Sequence, residues 1–243
     1  MFPLFLTPSD PPSPYHSPLP HPTILTPPPP GPTIDGLYIP NHPGALLSAG
    51  RVNKNIKILV AHNLDEGLLF TDPRIQDDAG FRSYLQGFMP SLPASKLNTL
   101  ATTIYPPDFS GSMPYTNQVG RTKLAIAEGL IDCFAFGTSL AYANRTQSYL
   151  FSIFPGIHAQ DTSYTFFYGV PKDGLGIPIT VAAAEKMQKW FIDFASGAGI
   201  PETEIPVYGS GADVVNITGS GYPVVRDPAA NDRCLFWLGG LTA

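Results

Sequence analysis

The distribution of proline divides this chain into two parts of different kind. Thirteen of its 28 prolines lie within the first 32 residues, where Asp10 is the only charged side chain. Proline fixes φ and has no amide hydrogen, so neither a helix nor a sheet can continue through such a segment. We therefore expect residues 1–32 to be a disordered, polyproline-like tail and residues 33–243 to be the globular body of the chain.

The tail admits one functional and two inert interpretations. Pro11–Pro14 and Pro27–Pro30 have the PxxP spacing that SH3 and WW domains bind. The segment contains no Lys or Arg, which usually fixes the orientation of such a ligand, and this favours an inert tail or a translated non-coding stretch. Met1–Leu6 has no basic residue and only a short apolar run interrupted by Pro3, so we do not expect a signal peptide.

Beyond the tail, the composition is that of an ordinary soluble fold. The chain is 43% hydrophobic, and its net charge of -5 gives no reason to expect nucleic acid or an acidic membrane surface as a partner. The most apolar stretch, residues 124–143, is interrupted by Glu128 and Asp132, so we expect no membrane span. We also predict no metal ion and no cofactor, and the sequence leaves the oligomeric state open.

Strand and helix patterns alternate along residues 33–243, which is typical of the α/β class. Apolar runs predict strands at residues 56–61 and 147–154. Helical spacing predicts helices at residues 81–88, 95–104, 117–143 and 181–195, and a β-hairpin is expected within residues 209–227.

Two apolar runs end abruptly in side chains that suit acid–base chemistry. Residues 56–61 lead to Asp65-Glu66-Gly67, and Gly156-Ile157 leads directly into His158. If both runs are buried strands, Glu66 and His158 emerge where two strands of one sheet end. An acid and an imidazole, in that chain order, are two thirds of a nucleophile–His–acid triad. Taken alone, a strand-end histidine is more often structural, and Asp65 competes with Glu66 for the role of the acid.

The nucleophile of such a triad would be a serine on a G-x-S-x-G turn earlier in the chain. None of the serines in these 243 residues has that context. The sequence therefore offers an acid and a histidine without their nucleophile.

The motifs together resemble the type-B carboxylesterase/lipase family, which includes cholinesterases and fungal secreted lipases. The resemblance begins at Thr33-Ile34-Asp35-Gly36, passes through the Glu66 and His158 segments, and ends at Asn231–Trp237. It covers roughly residues 33–243 and corresponds to the C-terminal portion of the family's domain. It implies an α/β-hydrolase fold with an incomplete sheet and flanking helices, and a parent reaction that hydrolyses carboxylic esters through an acyl-serine.

The resemblance also implies roles for individual residues. His158 would take the serine proton, and Glu66 would hold the imidazole in its working tautomer. Ala159 replaces a glycine that usually follows the histidine, and a methyl group there could narrow the approach to the acyl site. We expect His62 and Asn63 to lie near the Glu66 loop in a structural role.

Further features point to an extracellular protein. Without the resemblance, the sequence favours two buried free thiols at Cys133 and Cys234. The resemblance instead implies a Cys133–Cys234 disulfide. Asn144-Arg145-Thr146 and Asn216-Ile217-Thr218 are N-glycosylation sequons. Extracellular localisation is what the family implies.

The missing nucleophile leaves the function divided between classes. The serine and the oxyanion-hole glycines both belong to the family's N-terminal part, so we expect this chain to be inactive by itself. The alternatives are a non-catalytic, cholinesterase-like extracellular binding module and an intracellular protein that interacts through its proline-rich tail.

Overall fold

A four-stranded sheet lies at the centre of the described part of the chain, residues 34–240 of this computed structural model. The strands are β1 (Leu59–Asn63), β2 (Gln147–Phe151), β3 (Asp213–Ile217) and β4 (Val224–Arg226), in that spatial order. The first three are parallel and β4 is antiparallel to β3, with Leu59 opposite Gln147 and Tyr149 opposite Val215. The predicted proline-rich tail, residues 1–32, lies outside the described residues.

Eight α-helices accompany the sheet in residues 34–240. They are α1 (Pro43–Ser48), α2 (Asp78–Phe88), α3 (Ala94–Thr99), α4 (Gln118–Ala127), α5 (Cys133–Ala141), α6 (Thr162–Thr165), α7 (Val181–Ala195) and α8 (Asp232–Gly240). A 3-10 turn covers Leu68–Phe70, and π-helical turns cover Leu100–Ile104 and Glu128–Asp132. The Asp77 and Asn117 side chains cap α2 and α4, because each accepts a hydrogen bond from the amide three residues later.

The two faces of the sheet carry separate apolar cores. On one face, Leu150 and Val214 pack into a core that also contains residues of α2, α4, α5 and α8. On the other face, Tyr149 and Val215 pack into a core beneath α7. This division follows from the period of two along a strand, which sends adjacent side chains to opposite faces. Helices on both faces of a mostly parallel sheet give the α/β architecture that the sequence predicts.

One predicted strand is absent from the described residues. The run that ends at His158 was expected to be a strand, but β2 ends at Phe151 and Gly156–His158 is a loop with an isolated bridge from Ile157 to Asp65. Pro155 and the left-handed Gly156 (φ 68°) explain the error, because neither continues a regular strand. The other strand expected at residues 56–61 begins later, at Leu59, and continues through His62 to Asn63.

A continuous helical run, Gln118–Ala141, contains α4, the second π-turn and α5. By length and composition alone, its 24 residues could cross a membrane, although the stretch contains Glu128 and Asp132. Half of its most apolar window is buried within the protein, as in the core helix of a soluble fold.

Helix α8 is held to this run by covalent and polar contacts. Cys133 and Cys234 form a disulfide with a Cα–Cα distance of 4.8 Å and a sequence separation of 101. Beside it, the Arg233 Nε and Nη2 donate to the buried Glu128 carboxylate at 2.9 and 2.6 Å. The disulfide that the resemblance implied is thus present, between the start of α5 and the first turn of α8.

Candidate active site

Glu66 lies in the loop that follows β1, with its carboxylate buried and directed back toward the strand. The side chain is 3% exposed. Its Oε1 accepts hydrogen bonds from the Asn63 backbone amide at 2.6 Å and from Asn63 Nδ2 at 3.0 Å. Asn63 is the last residue of β1, so the end of the strand fixes one oxygen of the acid and leaves the other free to face a partner.

That partner is His158, which the loop after β2 delivers to the same edge of the sheet. His158 Nδ1 lies 2.6 Å from Glu66 Oε2. The imidazole packs against the Phe70 ring, with centroids 5.0 Å apart, and the side chain is 39% exposed. Nδ1 is therefore committed to the acid, while Nε2 makes no hydrogen bond within residues 34–240 and is accessible to a reacting group.

The neighbouring acid, Asp65, is directed elsewhere. Its Oδ2 lies 2.7 Å from Lys123 Nζ in α4, and its backbone amide donates to the Gly156 carbonyl at 2.7 Å. The two adjacent carboxylates thus differ in partner: Asp65 ties the loop to α4 and to the His158 loop, and Glu66 faces the histidine.

Gly67 completes the Asp-Glu-Gly segment for a steric reason. A Cβ at this position would lie 2.0 Å from the Lys123 carbonyl oxygen, a backbone atom in α4. Only glycine permits the loop to approach the helix so closely, and that approach sets the position of Glu66.

Ala159, directly after His158, lies at a conformationally restricted position. Its φ is 63°, in the left-handed region that L-residues other than glycine, Asn and Asp rarely adopt. A glycine would occupy this conformation without the steric cost of about 1–2 kcal/mol. The backbone conformation immediately after His158 therefore favours glycine over alanine at this position.

A polar chain extends from the acid–histidine pair to residues that the sequence motifs did not identify. Asn63 Nδ2 also lies 3.3 Å from Asp161 Oδ1, and Tyr149 donates its hydroxyl hydrogen to Asp161 Oδ2 at 2.9 Å. Burial and the Asp161 charge raise the pKa of Tyr149 well above its usual range, so the phenol remains a donor. The spacing of Asp161, three residues after His158, was the available sequence signal.

His62 lies one residue before Asn63 and is buried with two carboxylates. Its Nε2 is 3.0 Å from Asp227 Oδ1 and its Nδ1 is 3.5 Å from Asp132 Oδ1. Burial lowers the pKa of His62, but the hydrogen bond to Asp227 and the Asp132 charge outweigh it and raise the pKa to about 9. Burial raises the pKa of Asp132 to about 7, against the opposing effect of His62.

The sequons are less exposed than surface acceptors usually are. Asn144 lies between α5 and β2 and is half-buried, and Asn216 is within β3. Each has a buried Oδ1 with no hydrogen-bond partner in residues 34–240. Of the two, Asn144 has the loop position that N-glycosylation favours.

Within residues 34–240, Glu128, Cys133 and Cys234 place atoms that could bind a metal ion within 4.8 Å of one another. Both sulfurs are in the disulfide, and Arg233 pairs with the carboxylate. Separately from those three residues, the Glu66–His158 pair is an arrangement that can accept a proton from a hydroxyl at Nε2 and stabilise the resulting imidazolium.

Comparison with known sequences supplies relatives for this arrangement, although no family model matches the chain. Carboxylesterase patB of Aspergillus clavatus is 32% identical over 212 residues, covering 85% of this chain and 37% of the relative. Carboxylesterase patB of Penicillium expansum is 28% identical over 211 residues, with the same coverage. The inactive carboxylesterase-like protein VdtD of Byssochlamys spectabilis is 36% identical over 84 residues, 34% of this chain.

Solved structures give the same fold. Aspergillus niger EstA matches with a TM-score of 0.68 at 18% identity, and a PNB esterase matches with a TM-score of 0.58 at 20% identity. Each match covers 85% of this chain and less than half of the other one. At these identities the matches establish the α/β-hydrolase fold, and the chain spans about two fifths of the length of the patB relatives.

Proposed function

The chain is carboxylesterase-like and corresponds to the C-terminal portion of a type-B carboxylesterase, and on that premise we propose that it supplies the acid and the base of a Ser–Glu–His triad. The reaction is hydrolysis of a small-molecule carboxylic ester of the kind that carboxylesterases and lipases cleave. Glu66 is the acid and His158 is the general base.

One observation carries this proposal: the 2.6 Å contact between His158 Nδ1 and Glu66 Oε2, on a histidine side chain that is 39% exposed. A buried carboxylate on Nδ1 holds the proton there, so Nε2 is the basic nitrogen and faces away from the acid. This is the tautomer that a general base requires, because Nε2 must take the proton of an attacking hydroxyl.

The steps assigned to this chain are proton transfers. Nε2 of His158 accepts the serine proton as the hydroxyl oxygen attacks the ester carbonyl, and returns it to the departing alcohol. Glu66 balances the charge of the imidazolium between these two events. Water then repeats the sequence on the acyl-serine, with His158 again accepting and returning one proton.

The nucleophile must come from outside these 243 residues, since none of their serines lies in a G-x-S-x-G turn. The coverage of the patB relatives supports this part of the proposal, because 37% of their length is matched. We accordingly propose that the 243 residues by themselves do not hydrolyse esters. A C-terminal portion joined to the serine and its oxyanion donors would be active.

A second candidate is a non-catalytic binding module of the cholinesterase-like kind. The 84-residue similarity to VdtD, a protein whose name calls it inactive, favours it. The buried and oriented Glu66–His158 pair favours the catalytic proposal, because a binding module has no chemical requirement for a basic nitrogen held accessible in this way.

The test joins this chain to the serine-bearing N-terminal part of Aspergillus clavatus patB and measures hydrolysis of p-nitrophenyl butyrate. We expect the fusion to be active, His158→Ala to abolish turnover, and Glu66→Gln to lower kcat by about 10⁴, as the equivalent change does in a serine protease. Asp65→Asn is the matched control and should leave kcat within a few-fold, because Asp65 faces Lys123. Turnover that survives His158→Ala would refute the assignment of the base.

The disulfide supports a proposal about the compartment. We propose that the protein acts outside the reducing cytosol, in a secreted form, because a buried structural disulfide persists in oxidising compartments. Glycosylation, if the secreted form carries it, is proposed for Asn144 before Asn216 on the basis of their positions.

A further inference from the structure

A buried cluster of charged side chains lies beside the Glu66 loop and has no step in the proposed reaction. His62 in β1 is its centre. Asp132 comes from the π-turn of the long helical run, and Asp227 follows β4. The side chains of His62, Asp132 and Asp227 are 4%, 13% and 3% exposed, respectively.

Hydrogen bonding requires His62 to carry protons on both ring nitrogens. Nε2 faces Asp227 Oδ1 at 3.0 Å, and Nδ1 faces the Asn63 carbonyl oxygen at 3.2 Å. Asp227 also accepts hydrogen bonds from the Tyr208 hydroxyl and the Ala229 amide, both at 2.8 Å. Burial raises the pKa of Asp227, but the hydrogen bonds from His62, Ala229 and Tyr208 outweigh it and lower the pKa, which favours the ionised carboxylate as the acceptor. A carbonyl oxygen can only accept. His62 is therefore an imidazolium that donates in two directions.

The second of these donations reaches the residue that holds the catalytic acid. The Asn63 carbonyl oxygen accepts a hydrogen bond from His62 Nδ1. The Asn63 backbone amide and Nδ2 both donate hydrogen bonds to Glu66 Oε1. The path from His62 to Glu66 therefore passes through a single residue, with hydrogen bonds of 3.2, 2.6 and 3.0 Å.

The π-turn gives the cluster its other acid. π-Turns insert one residue into a helix and are frequent at functional sites, and this one carries Asp132 to within 3.5 Å of His62 Nδ1. Asp132 Oδ1 is buried and has no hydrogen-bond partner among residues 34–240. The charges that act on Asp132 are His62, Glu66, Glu128 and Asp227. His62 is the cation among them.

We propose that His62, held between Asp132 and Asp227, is a positioning residue that fixes Asn63 and, through it, the Glu66 carboxylate that faces His158. The inference rests on the proposed function of Glu66 and His158. The His62 imidazolium fixes the Asn63 peptide at the end of β1 and offsets the repulsion among the neighbouring carboxylates. Without it, Asn63 loses its anchor, and Glu66 is no longer held at hydrogen-bond distance from His158.

The test is proton NMR of the full 243-residue chain, observing the low-field hydrogen shared by His158 Nδ1 and Glu66 Oε2. Labelling histidine nitrogens with ¹⁵N assigns the signal, and its loss in Glu66→Gln verifies the assignment. We expect His62→Gln to lose the signal or broaden it strongly while the backbone amide spectrum elsewhere is retained. His42→Gln, the same change at an exposed histidine, is the matched control and should leave the signal unchanged.

The variant Asp132→Asn is a second test if His62→Gln does not fold. Asparagine has nearly the same shape as aspartate, and the substitution removes one of the two acids that hold His62. We expect it to weaken the same signal. Persistence of the signal at full intensity in either folded variant would overturn the positioning role while leaving the proposed triad intact. Failure of the unchanged chain to show a signal that depends on Glu66 would instead refute the acid–histidine pair of the proposed function, and this inference with it.

Discussion

At the scale of single residues, burial and partner decide which of several acids and histidines does what. Asp65 and Glu66 are adjacent, yet one pairs with Lys123 and the other with His158. His62 and His158 differ in the same way. His62 is enclosed by carboxylates and donates from both nitrogens, whereas His158 keeps Nε2 accessible. The residue type permits acid–base chemistry, and the surroundings distinguish the pair to which we assign it in the proposed reaction.

The His62 cluster predicts a pH dependence of stability. The pKa of His62 rises from 6.5 to about 9 on folding, so its contribution is complete below about pH 6.5 and is lost as the pH rises through about 9. The difference corresponds to on the order of 3 kcal/mol of unfolding free energy. Burial raises the pKa of Asp132 to about 7, so its ionisation with rising pH also lowers the unfolding free energy of the protein.

Urea unfolding of the chain between about pH 6 and pH 10 measures this effect. We expect the unfolding free energy of the unchanged chain to fall across that range, and that of His62→Gln to be lower at pH 6 and to change less. His42→Gln should follow the unchanged chain. Equal pH dependence in the unchanged chain and His62→Gln would contradict the protonated state assigned to His62.

At the scale of elements, the sequence predicted most helices and strands because apolar periodicity is strong in them. The helix at residues 181–195 has the predicted bounds, and the long helix at residues 117–143 is present as α4, the second π-turn and α5. The π-turn was not predicted, because it depends on where Glu128 and Asp132 find partners in distant parts of the chain.

The sequence predicted only part of the candidate site. The acid and the histidine could be identified from the resemblance, since Asp-Glu-Gly and Gly-Ile-His are local motifs. The loop that carries His158 was not predicted, because the apolar run before it suggested a strand, whereas β2 ends at Phe151 and Gly156 has a left-handed φ. Nor were the contacts of Asn63 with Asp161, or of His62 with Asp227, which join residues 98 and 165 positions apart.

The approach of the Glu66 loop to α4 gives an element-scale prediction. Gly67→Ala should destabilise the chain by about 1–3 kcal/mol or more, because its Cβ would meet a backbone carbonyl oxygen of α4 that cannot move aside. Gly87→Ala is the matched control. Gly87 lies in α2, where an added methyl group would have no atom within 4 Å, so alanine should stabilise the chain by about 1 kcal/mol. Urea midpoints of the two variants should therefore shift in opposite directions, and a shift of both in the same direction would contradict the close approach.

At the scale of the whole molecule, the disulfide joins the helical run on one face of the sheet to the last helix of the described chain. Its 101-residue separation makes it effective in the chain-entropy model, because a long loop in the unfolded chain loses much freedom when it is closed. The Arg233–Glu128 pair lies beside it and holds the same two elements together.

Removal of this bond should lower stability substantially. We expect the double variant Cys133→Ala with Cys234→Ala to lose about 4–5 kcal/mol of unfolding free energy. Reductant should lower the melting temperature of the unchanged chain toward that of the double variant and should leave the double variant unaffected. A melting temperature of the unchanged chain that does not respond to reductant under unfolding conditions would show that the disulfide contributes little.

The central claim is that these residues supply the acid and the histidine for a serine that lies outside them. Labelling with a fluorophosphonate, followed by mass spectrometry of the labelled peptide, tests it most directly. We predict no label on the 243-residue chain by itself. In the fusion with the serine-bearing part of patB, we predict label on a serine outside residues 1–243, lost in His158→Ala. Label on a serine within the 243 residues, or label in the fusion that survives His158→Ala, would contradict the account.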